Sequence, residues 1–311
     1  MKIVFMGTPR AAVPSIERLL QDGHEVVAVY SQPDRPSGRG NKIVFSPIKE
    51  FAVENGMPVF QPSKIKTPEA LDEFRLHKSD VTVVVAYGRI LSESFLRAFP
   101  KGAINVHFSL LPKYRGAAPV NWAIVNGETR TGVTTMQMDA GLDTGDILLQ
   151  RETEIGPAET VPELIERLSF IGADLLSETL IKLDSLAPIP QNHDEASLAP
   201  IMKREDGLID WSMLAADIAN RVRGFQPFPA SFTSYKGQKL TIWKAKAISL
   251  EEFGTWSDGA ILEARGDNLI VSTGRGTALS IEELQLDGKR RMATRDVLNG
   301  IRILAGDVFG E

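Results

Sequence analysis

Asn105-Val106-His107 closes an apolar run of the chain and is followed at once by Ser109-Leu110-Leu111-Pro112. Alternate side chains of a strand share a face, so Asn105 and His107 point the same way. A primary amide beside an imidazole suits a reaction in which negative charge grows on a carbonyl oxygen. The same two residues also fit a satisfied core histidine with a turn asparagine, and spacing alone leaves both readings open. Further on, Asp139-Ala140-Gly141-Leu142-Asp143-Thr144-Gly145-Asp146 gathers three carboxylates in a glycine-containing loop. Such oxygens could ligate a metal, orient or charge a histidine, or form a solvated acidic turn. A third stretch, Gln32–Ser46, carries Arg35, Arg39 and Lys42 among prolines and glycines. Its charge suits phosphate contact, and its composition equally suits a plain surface loop.

Composition narrows the chemistry. The 311 residues include no cysteine, which removes thiolate nucleophiles, disulfides, iron–sulfur clusters and cysteine zinc sites. Only His24, His77, His107 and His193 can supply an imidazole, and of these His107 alone sits beside another candidate group. The turn after the first apolar run, Gly7-Thr8-Pro9-Arg10-Ala11-Ala12, has the first glycine of a dinucleotide fingerprint and neither of the others. No phosphate-binding G-x-x-x-x-G-K-[ST] run occurs, so nicotinamide redox and nucleotide-loop chemistry are both disfavoured. A formal net charge of −5 excludes a wholly basic nucleic-acid coat but not a local basic patch, such as Lys289-Arg290-Arg291. No targeting segment and no membrane-length apolar run are visible, which points to a cytoplasmic protein.

These residues need elements to hold them. Lys2–Met6, Glu25–Tyr30, Val59–Phe60, Val81–Ala86, Ala103–His107 and Val133–Met138 read as strands. Ser15–Asp22, Ser46–Asn55, Pro68–His77 and the long Val161–Leu183 read as helices. Continuous apolar strands separated by helices predict an α/β domain: a Rossmann-like parallel sheet with helices on both faces. The stretch LAPIPQNHDEASLAP has no sustained period and reads as a linker. Beyond it, short β-like segments separated by Gly or Asp predict a smaller, OB-like C-terminal β-barrel domain. The expected division is 1–189, a linker at 190–206, and 207–311.

NVHFSLLPKYRGAAPVNWAI followed by MDAGLDTGDIL resembles the active-site signature of the folate-dependent formyltransferases. FMGTP at the start, QPDRPSGRG in the basic loop, KREDGLIDW after the linker and EELQLDGKRRM near the end are similar to the branch acting on methionyl-tRNA. Together these motifs span essentially the whole chain. Phe108 stands where the resemblance predicts a small residue, and Asn121 where histidine is common.

The resemblance implies formyl transfer from 10-formyltetrahydrofolate to the α-amine of methionyl initiator tRNA, for translation initiation. No metal is implied, and the precedent is a monomer. It also implies roles for individual residues. Asn105 donates to the oxyanion; His107 stabilises that charge or moves a proton; Asp143 orients His107 and helps take the amine proton. Folate contacts are implied for the turn Ala86, Tyr87, Gly88, Arg89, Ile90 and Leu91. They are implied too for Ser109, Leu110, Leu111 and Pro112, and for Asp139 and Gly141. The tRNA falls to Arg35, Arg39 and Lys42 in the first domain and to Lys289, Arg290 and Arg291 in the second. A formyltransferase acting on a small amine, or a 10-formyltetrahydrofolate hydrolase, would share the catalytic trio.

Overall fold

The computed structural model describes residues 1–37, 42–249 and 256–310. They fall into two compact units. The first comprises Met1–Pro119, Arg130–Glu154 and Ile165–Pro200; the second comprises Val120–Thr129, Ile155–Leu164 and Ile201–Glu311.

The first unit is built on a seven-stranded sheet ordered β5-β2-β1-β6-β7-β8-β9. Its strands are β1 Lys2–Gly7, β2 Glu25–Tyr30, β5 Val59–Phe60, β6 Val81–Val85, β7 Ala103–His107, β8 Arg130–Gln137 and β9 Ile147–Glu154. The basic loop contributes a separate hairpin of β3 Arg35–Ser37 and β4 Lys42–Val44. The helices are α1 Val13–Gln21, α2 Pro47–Glu54, α3 Pro68–Arg75, the single turn α4 Glu93–Leu96, and α6 Val161–Lys182, which runs through both units. Ile3, Val4, Phe5 and Met6 of β1 are fully buried, as a central parallel strand requires. Local chemistry starts α2 and α3 cleanly. The Ser46 and Thr67 hydroxyls accept from the Lys49 and Ala70 N–H groups, and a proline follows each cap in the first turn.

The sheet is parallel only from β5 through β7. Strand β8 pairs antiparallel with β7, and β9 antiparallel with β8. The predicted Rossmann-like parallel sheet is present in the five strands from β5 through β7, and since periodicity identifies a strand but carries no direction, the antiparallel β8 and β9 are an addition to it. Strand β9 has no counterpart in the predicted elements, because an edge strand with one buried face reads as polar (ILLQRETE). The antiparallel turn matters for the site. Gln137, the last residue of β8, lies opposite Ile104 near the start of β7. The acidic loop therefore leaves beside the start of β7 and has to come back to reach His107.

The second unit holds an antiparallel sheet with strand path β10-β11-β14-β13-β12 and β15 paired to β14. Its strands are β10 Ser231–Tyr235, β11 Gln238–Ile248, β12 Ile261–Arg265, β13 Asn268–Thr273, β14 Thr277–Leu286 and β15 Met292–Ala293. Three helices belong with it: α5 Pro119–Val125, α7 Ala215–Gly224 and α8 Thr294–Gly300. Ala215, Ile218 and Val222 of α7 recur at helical spacing and are buried in one core with Trp211, Ile242 and Leu284. Asn121 spends its amide on the Gly224 carbonyl, 2.8 Å away.

Candidate active site

Strand β7 sits between β6 and β8, with Asn105 opposite Val84 on one side and Met136 on the other. Asn105 is 8 % exposed and His107 6 %. The Asn105 side-chain amide has no hydrogen-bond partner among the described residues. Its polar atoms are not among the fully buried ones, so the amide tip stays open to water and to a group from outside the chain.

His107 is fixed from the other side. Its Nε2 lies 2.9 Å from the backbone carbonyl of Tyr114. A carbonyl can only accept, so Nε2 carries the hydrogen and Nδ1 is the nitrogen left to exchange a proton. Nδ1 faces Asp143 Oδ2 at 3.7 Å, too long for a hydrogen bond but close enough for a charge to act. The resemblance gives Asp143 the task of orienting the ring. In the structure the hydrogen bond that orients it comes from Tyr114, with Asp143 beside it as a negative charge. Asp143 Oδ2 in turn accepts from the Gly116 N–H at 2.8 Å. Asp143 and Tyr114 both have positive φ, +51° and +61°. Such strained non-glycine backbone persists only where its surroundings over-determine it, and it gathers at functional sites.

The acidic loop folds tightly enough to bring Asp143 back. The Gln137 N–H donates to the Asp146 carbonyl at 2.9 Å, pinching the base of the loop. Asp139 accepts from the Gly141 N–H and the Thr144 hydroxyl, so its carboxylate is spent inside the turn. A Cβ on Gly145 would lie 1.8 Å from the Gln137 carbonyl oxygen, well inside contact distance. Gly145→Ala should therefore destabilise the first unit by about 1–3 kcal/mol and lower activity by displacing Asp143. An unchanged urea midpoint in that variant would contradict this account of the loop. Among the described residues no group of three or more histidine or acidic side chains is arranged to hold a metal ion.

The other predicted contacts divide by exposure. Ala86, Gly88 and Ile90 are exposed, whereas Tyr87 and Leu91 turn into the first unit's core. Burial pushes the Tyr87 phenol up to about 12, and its carbonyl accepts from Thr8 and Gln32. Arg89 donates to the Gln32 side chain and the Ser63 carbonyl. Ser109 and Leu111 are buried and act as braces: Ser109 Oγ donates to the Lys113 carbonyl, and the Leu111 N–H donates to Thr134. Leu110 packs over Gly132, Pro112 is half-buried, and Gly141 is exposed beside the exposed Leu142.

Arg35 and Lys42 lie on the paired arms of the β3–β4 hairpin, and Arg39 lies outside the described residues. The arms pair because Ser37 faces Lys42 and Arg35 faces Val44 in register, which composition alone did not reveal. Lys289 and Arg290 are exposed and have no ion-pair partner among the described residues. Arg291 is paired with Glu283 and lies over the Trp243 ring. His24 bonds the N-terminal amine, His77 the Tyr30 hydroxyl and His193 the Arg115 guanidinium, none of them touching His107.

A family model for formyl transferases matches residues 1–180, and one for their C-terminal domain matches residues 201–302. The chain belongs to the formyltransferase family. Curated relatives named methionyl-tRNA formyltransferase include that of Alkaliphilus oremlandii, 49 % identical over 313 residues and covering all of both chains. That of Koribacter versatilis is 50 % identical over 316 residues, covering 100 % of this chain and 99 % of its own. Among solved structures, an N-formyltransferase from Helicobacter canadensis with folinic acid and dTDP-3-aminofucose aligns at TM-score 0.67 and 22 % identity. It covers 90 % of this chain and 98 % of its own. Methionyl-tRNA formyltransferase from Clostridium thermocellum aligns at TM-score 0.55 and 20 % identity, covering 79 % and 93 %. At those identities the structures speak to fold alone.

Four residues around His107 and Asp143 escaped the sequence pattern. Tyr114 and Gly116 act through a carbonyl and an N–H, which leave no side-chain signature. Arg115 and Gln191 are buried polar residues, the first inside the quoted KYRG run and the second inside the stretch read as linker.

Proposed function

We infer that the chain transfers the formyl group of 10-formyltetrahydrofolate to the α-amino group of methionyl initiator tRNA, in the cytoplasm, for translation initiation. The observation that carries the chemistry is the Asn105 amide, without a partner among the described residues and open at its tip, two residues from His107 on one strand face. The full-length relatives named for methionyl-tRNA support the acceptor. The folate fits what the residues offer: an orphan amide for the formyl oxygen, with Ala86, Ile90 and Leu142 exposed as apolar surface for a flat ring.

Each residue then has a task. The amine nitrogen forms a bond to the formyl carbon, and the carbonyl oxygen gains charge, which the Asn105 N–H groups stabilise. The amine must lose a proton as it attacks. Nδ1 of His107 takes it, next to the compensating charge of Asp143. The carbon–nitrogen bond to the folate breaks as a proton is returned to that nitrogen, leaving tetrahydrofolate and formyl-methionyl-tRNA. Residues 1–189, together with Gln191 to Ala199 of the 190–206 segment in the same unit, carry this chemistry, and 207–311 carry the second tRNA surface. Arg35, Arg39 and Lys42 complete the tRNA contacts by charge.

The direct test supplies the purified chain with 10-formyltetrahydrofolate and methionyl initiator tRNA, methionyl elongator tRNA, or no acceptor. Formylation of the initiator with little release of tetrahydrofolate in its absence is expected. Acceptor-independent release would replace the reading with hydrolysis. Arg290, free of carboxylates among the described residues, gives a second measurement. Arg290→Ala should raise the KM for tRNA and shallow its log–log salt dependence by roughly 1, leaving the folate KM unchanged. An unaltered salt slope would remove Arg290 from the tRNA surface.

A further inference from the structure

We propose that Gln191 is a positioning residue for the transfer, holding Asp143 in place and itself aimed by Arg115. The proposal rests on the reading that Asp143 takes part in the reaction. Gln191 is 6 % exposed. Its Nε2 donates to the carbonyl of Asp143 at 2.9 Å and to that of Gly145 at 2.6 Å. Its Oε1 accepts from Arg115 twice, from Nε at 3.0 Å and from Nη2 at 2.6 Å. Both donors and both lone pairs of the amide are thus used, so its orientation is unambiguous. What it grips is the backbone at and just after the residue whose carboxylate faces His107. That backbone sits at a φ of +51°, a conformation that needs outside support.

Arg115 is anchored in turn. Its N–H donates to the Ser197 carbonyl at 2.8 Å, and its own carbonyl accepts from the Ala199 N–H at 2.7 Å. The Tyr114 N–H donates to the Ser197 hydroxyl at 2.9 Å. Three consecutive residues therefore serve the site. Tyr114 offers the carbonyl that fixes His107, Arg115 the fork that aims Gln191, and Gly116 the N–H that reaches the Asp143 carboxylate. The segment from Gln191 to Ala199 braces that triplet, although its composition reads as a linker. Gly116 shows how close the two strands of backbone run: a Cβ there would lie 2.6 Å from the Ala199 carbonyl oxygen. Removing the Gln191 amide would leave two carbonyls without donors and the buried Arg115 guanidinium with His193 as its remaining side-chain partner.

The test is a double-mutant cycle between Gln191→Glu and Asp143→Asn, with kcat, both KM values and thermal midpoints measured for each protein. Glutamate keeps the acceptor for Arg115 but has no N–H for the two carbonyls. Gln191→Glu alone should lower kcat about 10–100-fold, as a displacement near 1 Å does, with both KM values within about threefold. In the Asp143→Asn background the same change should lower kcat by less than about twofold. Equal losses in both backgrounds would overturn the proposal alone, since Gln191 would then act elsewhere. Full kcat in a folded Gln191→Glu protein would overturn it too. Full kcat in Asp143→Asn would instead overturn the reading of Asp143, and the proposal with it. Should Gln191→Glu fail to fold, Arg115→Lys carries the same cycle. It keeps the charge and loses the fork, and its kcat loss should likewise vanish when Asp143 is already Asn.

Discussion

Asn105→Ala is expected to lower kcat by about 100–1,000-fold while leaving the fold intact, the range typical of losing one oxyanion donor. The two halves of this expectation have separate causes. The side-chain amide makes no hydrogen bond among the described residues, so truncating it breaks none of the protein's own. The backbone of Asn105 stays paired with β6 and β8, and alanine is compatible with that position. The unfolding free energy should therefore change by less than about 1 kcal/mol. Asn105→Asp is nearly isosteric and removes both donors, setting a carboxylate against the growing negative charge. Its kcat should fall at least as far. Steady-state kinetics and urea denaturation on the same preparations check both halves. Full activity in a folded Asn105→Ala protein would remove the oxyanion role from this residue.

The placement of Asn105 and His107 on one face of β7 was legible because a strand has a period of two and because amide and imidazole stand out in an apolar run. Asn105 and His107 share a face in the structure as the spacing requires. The core strands β1, β2, β6 and β7 were legible for a related reason: a strand buried on both faces is continuously apolar, as Val81–Val85 is. What stayed hidden follows from what side-chain pattern cannot encode. The direction of β8 is one such feature, and the return of the acidic loop from the start of β7 depends on it. Backbone groups are another. The Tyr114 carbonyl and the Gly116 N–H define how His107 and Asp143 sit, yet any residue carries those atoms. Gln191 lies in a stretch with neither helical nor strand period. Its hydrogen bonds run to residues 46 to 76 positions away, beyond the reach of local pattern. Predicted folate contacts divided for a similar reason. Alternation within the short turn Ala86–Leu91 sends Tyr87 and Leu91 to the core and leaves Ala86, Gly88 and Ile90 outside.

His107→Gln should lower kcat by about 100–10,000-fold, the range of general acid–base contributions, even though it preserves the ring's one hydrogen bond to the protein. Glutamine places an N–H near the position of imidazole Nε2, so the donation to the Tyr114 carbonyl can survive. It offers nothing at the position of Nδ1, the nitrogen that faces Asp143 at 3.7 Å. The variant therefore separates the histidine as a structural tie from the histidine as a proton carrier. His107→Asn makes the complementary exchange: its amide nitrogen stands near Nδ1, and it is too short to reach Tyr114. Neither amide accepts a proton at neutral pH, so both variants should fall to a similar low kcat. They should differ in stability, with His107→Asn the less stable because the Tyr114 carbonyl then lacks its donor. The decisive comparison is kcat on methionyl-tRNA for the two folded variants. If His107→Gln kept nearly full kcat while His107→Asn lost it, the ring would act only as a tie to Tyr114, and the proton would have to move through Asp143 alone.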